Sequence, residues 1–339
     1  MEHAIICPQC NAPITPHRFA KSALCTYCGA TVHFDETTRS AEIFHKAFKQ
    51  WNDPRSHGFS TWISIGNDHW ALQQKIAEGD ISDVYFGQRA RWPSELVIIK
   101  ILRNPNDKAL FENEWQALQT LHHSNAPGAE VFSTFLPQLV QHGSEKNAKQ
   151  SDQQVSIFRR ESGFRHTLAA VIQAYPQGIP PRTSIWLWRR ILELLSFIHT
   201  SGMVHGAVLP QHILIQDQEH GARLVDFTCT GKAGDKLSSL SSEYKSCYPK
   251  WMQSSGKLST QADLVMSARC IIAALGGNPA KASLPDAVPT LLAEKIQQVA
   301  LADQKKSSIP NAWAIREELG SIARQVFGPS KFNPIDMSF

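Results

Sequence analysis

Long apolar runs are missing from this 339-residue chain, and none approaches the 18 or more residues of a membrane span. The opening residues MEHAIICPQC carry no leader pattern, so a cytoplasmic location is expected. Charge of one sign is also scarce. Lys and Arg number 34 against 30 Asp and Glu, and the net charge of +4 is too mild to point to nucleic acid or an anionic membrane. No internal repeat is visible, which excludes a solenoid. Hydrophobic residues make up 42% and charged residues 19%, the balance of a folded protein rather than a disordered one. The length allows a two-lobed domain with a small accessory one, or two ordinary domains.

Cysteine is sparse and uneven. Four of the seven form Cys7-Pro-Gln-Cys10 and Cys25-Thr-Tyr-Cys28, with fourteen residues between the pairs. Each Cys-x-x-Cys makes a tight knuckle, and two knuckles make a tetrahedral sulfur cage suited to Zn2+. Gly29 follows the second pair, where a knuckle often needs positive φ. So small a module has too little apolar surface to fold by burial alone, and four protein ligands close the sphere, so a bound metal is structural. His33 is expected at the surface rather than as a fifth ligand. The module, residues 1–34, resembles a zinc ribbon. Such ribbons bind proteins or nucleic acids, and the mixed charges nearby (Arg18, Lys21 and Arg39 against Glu2, Asp35 and Glu36) do not choose. Cys229, Cys247 and Cys270 are scattered and read as free buried thiols.

Residues 35–65 read as a connector with one amphipathic helix (Ile43, Phe44, Ala47, Phe48, Trp51) before the breaker-rich NDPRSHG. Five strands follow in WALQQKI, VYFGQRA, LVIIKIL, PQLVQ and QVSIFRR. The third is followed by a helix with Asp107 as N-cap and a stripe of Leu110, Phe111, Trp115, Leu118 and Leu121. Residues 141–152 form a polar loop between the last two strands. Beyond Gly163 the pattern is helical, with stripes at 167–175, 183–201, 260–275, 288–302 and 311–326. This is an α+β plan of two lobes with a cleft between them.

Several stretches along this run carry chemistry. The hairpin Ala77-Glu78-Gly79-Asp80-Ile81-Ser82-Asp83-Val84 has a central glycine. Val97-Ile98-Ile99-Lys100 ends an apolar strand on a lysine, and a partly buried ammonium needs a partner. MVHGAVLPQHILI (203–215) joins His205 and Pro210 to a closing aliphatic strand. Ala222-Arg223-Leu224-Val225-Asp226-Phe227-Thr228 runs from an apolar strand into an aspartate facing the cleft, a candidate Mg2+ ligand. Their order and spacing resemble the protein-kinase fold over residues 66–329, with an N-lobe at 66–162, a C-lobe at 163–329 and a tail at 330–339.

That resemblance implies a nucleotide site for ATP and Mg2+ at Gly79, Val84, Lys100, Glu114 and Asp226. Glu114 sits where the kinase helix glutamate pairs with the lysine. Asp263 matches the aspartate that braces the catalytic loop. Other letters depart from the family pattern. Gly206 replaces the loop arginine, Ala207 the catalytic base, Leu209 the usual lysine and His212 the asparagine that binds a second Mg2+. A methyl group accepts no proton. Lys250 stands where the activation segment ends in glutamate, and its arginine partner aligns with Ser308, so both halves of that ion pair are lost together.

The resemblance therefore implies a pseudokinase that keeps an ATP site and presents surfaces to protein partners. A second reading is an active ATP-dependent transferase, since His-Gly at 205–206 is similar to the H-G-D loop of small-molecule kinases and His212 could serve as base or metal ligand. A third makes the zinc module the working part, with Trp186, Trp188, Arg189 and Arg190 as an interaction surface. The serine-rich LSSLSSEYKS (237–246) is expected to be a mobile loop.

Overall fold

The computed structural model describes residues 5–10, 12–14, 22–26, 28–33, 61–90, 95–145, 153–216, 220–302 and 309–337. The expected connector helix at 43–51, most of the polar loop at 141–152, and Ser308 lie outside them. The chain divides into two units, Met1–Gly58 and Phe59–Phe339.

The first unit is built from two small hairpins. In one, β1 (Ile5–Ile6) pairs with β2 (Pro13–Ile14). In the other, β3 (Ser22–Leu24) pairs with β4 (Thr31–His33). The same turn closes both: Cys7 N–H donates to the Ala12 carbonyl at 2.8 Å, and Cys25 N–H to the Ala30 carbonyl at 2.8 Å. Gly29 adopts φ +73, as the knuckle requires. Among the described residues its apolar core is Cys7, Ile14, Cys25 and Val32, with a few alanines against it.

In the second unit, a six-stranded antiparallel sheet runs in the order β5-β6-β7-β8-β10-β9. Its strands are β5 (Trp62–Ile65), β6 (Asp68–Glu78), β7 (Ser82–Arg89), β8 (Leu96–Leu102), β9 (Leu139–Ser144) and β10 (Gln154–Arg159). Strand β5 corrects the expected connector, which was carried through residue 65. Ile63 and Ile65 are buried, and the two residues Gly66-Asn67 turn β5 back onto β6. So short a run was masked by the breakers before it. A Cβ at Gly87 in β7 would lie 2.3 Å from Ile99 Cδ1 and 3.0 Å from the Ala71 carbonyl oxygen, so a side chain there would require Ile99 to move.

Helix α1 (Lys108–His122) buries Phe111, Leu118 and Leu121 of the predicted stripe, together with Ala117, while Leu110 and Trp115 are only half-buried. Each fully buried large apolar side chain contributes about 1.5–3 kcal/mol. Asp107 stands at the N-cap position without a capping hydrogen bond. The capping side chain is Asn104, one turn earlier, which accepts from Asn106 N–H at 3.0 Å. A short helix α2 (Ala129–Phe132) leads into β9.

The helical lobe contains α3 (Leu168–Ala174), α4 (Pro181–Thr200), α5 (Lys250–Ser255), α6 (Thr260–Ala274), α7 (Thr290–Ala300) and α8 (Ala312–Phe327). A small sheet of β11 (His166–Thr167), β12 (Ile213–Gln216) and β13 (Gly221–Leu224) lies among them. Helix α4 is buried along most of its length. Trp188 is one of its core residues, 1% exposed, with Nε1 donating to Ser267 Oγ of α6 at 3.0 Å. Trp186 stacks on His220 and donates to the Asn333 carbonyl. The proposed aromatic docking surface is thereby corrected, because an indole satisfies both area and N–H better inside.

Residues 331–337 form no regular element but pack on the helices, with Ile335 2% exposed and Tyr175 Oη bonded to the Asp336 carbonyl. The expected mobile loop at 237–246 is likewise held down. Leu237 N–H donates to the Gly256 carbonyl at 2.7 Å, and Leu237 and Ser241 are buried. Among the described residues no helix is long and apolar enough to cross a membrane.

Candidate functional site

In the first unit, each hairpin carries one Cys-x-x-Cys pair, and the two pairs meet across the hairpins. The Sγ atoms of Cys7 and Cys28 are 3.5 Å apart, as are those of Cys10 and Cys25, and all four lie within 4.8 Å of one another. A tetrahedral ion with sulfur bonds of about 2.3 Å spaces its ligands about 3.8 Å apart. The cluster fits a metal ion such as zinc. Cys7 and Cys25 are buried while Cys10 and Cys28 are exposed, so the cage lies at the module surface.

In the second unit the site is assembled around Lys100, near the end of β8. Pairing sets Val84 of β7 and Ser156 of β10 on either side of it. Lys100 Nζ lies 2.7 Å from Glu114 Oε2 of α1 and 3.5 Å from Asp226 Oδ2 just past β13. Lys100 and Glu114 are 7% and 2% exposed, while the Asp226 side chain is 26% exposed toward solvent. Burial opposes the ammonium, but the Asp226 and Glu114 charges outweigh it and raise the Lys100 pKa. Burial likewise opposes the Asp226 carboxylate, and the Lys100 charge overrides it and holds that pKa far below the usual range. Burial, reinforced by the Asp226 charge, pushes Glu114 upward against Lys100. One cation faces two carboxylates, leaving the cleft an excess of negative charge.

The backbone around Asp226 is constrained. Its φ is +64, a conformation that non-glycine residues rarely adopt. The Thr228 hydroxyl donates to Asp226 Oδ1, and Phe227 N–H donates to Glu114 Oε1 at 3.1 Å. Asn113 Nδ2 donates to the Thr228 and Thr230 carbonyls at 2.9 and 2.8 Å. Sequence reasoning missed Asn113. A polar residue on a helix face carries no signal of which distant loop it will meet.

The loop at 205–212 is held from below by Asp263 of α6. His205 N–H and Gly206 N–H donate to its two carboxylate oxygens at 2.8 and 2.9 Å, and His199 Nε2 donates at 3.0 Å. Gly206 has φ +79, and a Cβ there would sit 2.7 Å from both the Cys229 carbonyl oxygen and Leu258 Cδ2. No side chain fits at this position, so the missing arginine is built into the backbone. Ala207 is 3% exposed. Its carbonyl accepts from His212 Nδ1 at 2.9 Å, which aims His212 Nε2 toward Asp226 Oδ2, 3.9 Å away.

Lys250 is exposed at the start of α5. The preceding segment is held instead by Arg269, whose guanidinium donates to the Ser246 and Tyr248 carbonyls and to that of Ala300. Cys229, Cys247 and Cys270 are all buried.

The hairpin tip between β6 and β7 departs from a phosphate cradle. Gly79 N–H donates to the Ser82 carbonyl at 2.8 Å. The Gly79 and Asp80 carbonyls accept from Arg103, which also pairs with Glu78 at 2.7 Å. Glu78 and Asp83 each pair with Lys75, at 2.9 and 3.0 Å, so the tip's lysine is already engaged by carboxylates. The fit to ATP and Mg2+ is therefore uneven. Asp226 offers a hard, partly exposed oxygen donor in a site short of positive charge, which suits Mg2+. Lys100 suits a phosphate, whereas the hairpin offers little to one.

No protein-family model matches the chain. Among curated proteins it is similar to serine/threonine-protein kinase D of Synechocystis sp., 24% identical over 169 residues. That match takes in 47% of this chain, which spans only 30% of that relative's length. Among solved structures it resembles the BubR1 kinase domain, with a TM-score of 0.59 over 78% of this chain and 83% of that one, at 14% identity. The fold of the second unit is protein-kinase-like, a β-rich lobe followed by a helical one, as the sequence motifs imply.

Proposed function

We propose that the chain is a pseudokinase: a kinase-fold protein that binds ATP with one divalent cation and acts through protein partners rather than by phosphorylating a hydroxyl. The supporting observation is a division within one cleft. Lys100, Glu114 and Asp226 are in contact, while the loop braced by Asp263 presents Ala207 where a carboxylate base is needed. Lys100 would take a nucleotide phosphate, and Asp226 the cation. Bound Mg2+ supplies charge neutralisation at the phosphates. Asp263 and Gly206 hold the loop rigid, which preserves shape without supplying a proton acceptor. The four-cysteine cluster of the first unit would hold structural Zn2+.

The test is thermal unfolding of the zinc-loaded chain with ATP, with and without Mg2+, beside Asp226→Asn. A ligand at a hundred times its Kd stabilises by about 2.7 kcal/mol, a shift of several degrees. A Mg2+-dependent rise that Asp226→Asn abolishes is expected, with no phosphate transferred to protein substrates. Absence of any rise would remove the nucleotide from this reading, and robust transfer would overturn the loss of catalysis.

A further inference from the structure

His212 stands beside the proposed cation site in a form that the nucleotide reading does not use. Its position follows from the β12–β13 hairpin. Ile213 pairs with Leu224, and Val225 N–H donates to the His212 carbonyl at 2.9 Å, so the residue before β12 lies beside the residue after β13, and Asp226 follows directly. The ring is oriented from behind. Nδ1 lies 2.9 Å from the Ala207 carbonyl, which can only accept, so Nδ1 carries the proton. Gln211 Nε2, an amide donor, lies 3.2 Å from His212 Nε2, which is therefore the lone-pair nitrogen. A histidine whose far nitrogen is fixed on a carbonyl has the arrangement of an oriented metal ligand.

That lone pair is 3.9 Å from Asp226 Oδ2. Two bonds of about 2.1 Å span up to about 4.2 Å, so both atoms can reach one ion. The Gln211 amide is the group such an ion would displace. Mg2+ prefers oxygen ligands and takes imidazole poorly, whereas first-row transition cations accept nitrogen and carboxylate together. We infer that His212 and Asp226 form a mixed nitrogen–oxygen site that selects a first-row transition cation over Mg2+ in the nucleotide complex. This rests on the proposal that the cleft binds a cation with ATP. It adds which cation, and which residue decides.

The experiment uses the full-length, zinc-loaded chain with ATP and Mn2+ as probe. Pulsed electron paramagnetic resonance reads nitrogen bound directly to Mn2+. A nitrogen signal is expected in the native protein and is expected to vanish in His212→Asn while Mn2+ stays bound. The Mg2+ concentration that displaces half the Mn2+ should fall about tenfold or more in that variant. His212→Gln serves as a second variant if His212→Asn unfolds. Bound Mn2+ without a nitrogen signal, or with a signal that persists in both variants, sinks the inference and leaves the ATP reading standing. Failure to retain Mn2+ even with ATP sinks both.

Discussion

Replacing Lys100 by methionine tests whether the buried charges are a coupled unit. Methionine keeps the length of the stem and removes the ammonium. Glu114, 2% exposed, then loses the partner at 2.7 Å, and Asp226 loses the one at 3.5 Å. Removing one member of a buried pair costs about 3–5 kcal/mol, because the other charge is left without compensation. Glu114→Gln should cost less, about 1–3 kcal/mol, since Lys100 keeps Asp226 and the new amide oxygen can still accept from Phe227 N–H. The double variant removes both members, so its loss should fall at least about 2 kcal/mol short of the sum. Urea unfolding followed by circular dichroism measures all four proteins. Losses that add to within about 0.5 kcal/mol would refute the coupling.

The pH dependence supplies a second check on the same variant. The Glu114 pKa is already raised, chiefly by burial, and Lys100 is the main force opposing that rise. Without Lys100 it rises further. A carboxyl raised in the folded state contributes stability that is lost as pH rises. The gap between Lys100→Met and the native protein should therefore narrow from about pH 7 to about pH 5. A widening gap would contradict the assignment.

Gly206→Ala should destabilise the second unit by about 2 kcal/mol or more, because φ +79 and the Cys229 carbonyl both exclude a Cβ; an unchanged urea midpoint would show that the loop can relax. His205 is buried and its pKa is pushed down to about 4, mainly by desolvation. The unfolded chain takes up this proton below about pH 6.5 while the folded chain refuses it, so stability should fall between about pH 6.5 and 4, by up to about 3 kcal/mol. His205→Asn should flatten that part of the stability curve. Metal analysis should find one zinc per chain, and Cys25→Ser or chelation should release it and unfold the first unit, whose core among the described residues is too small to stand alone. A chelated protein with unchanged amide spectra for residues 5–33 would reverse that expectation.

The fold class was legible where local rules dominate. Period-3.6 stripes gave α4, α6, α7 and α8 nearly to their ends, and paired Cys-x-x-Cys knuckles identified the sulfur cage, because knuckle geometry is local. Lys100, Glu114 and Asp226 could be named as a group through the order of their motifs, although residues 14 and 126 positions apart carry no mutual signal by themselves. Tertiary structure alone decided the rest. It showed Trp188 inside the lobe, since a helix stripe does not say which neighbour covers it. It showed Arg103 closing the β6–β7 tip and Arg269 holding the segment before α5, because long cationic side chains choose carbonyls that lie far away in sequence. Gly206 is the clearest case. The sequence records only an absent arginine, while the fold shows a positive φ against the Cys229 carbonyl, where no side chain can return. Periodicity and turn chemistry are written residue by residue, but steric exclusion exists only between segments already folded together.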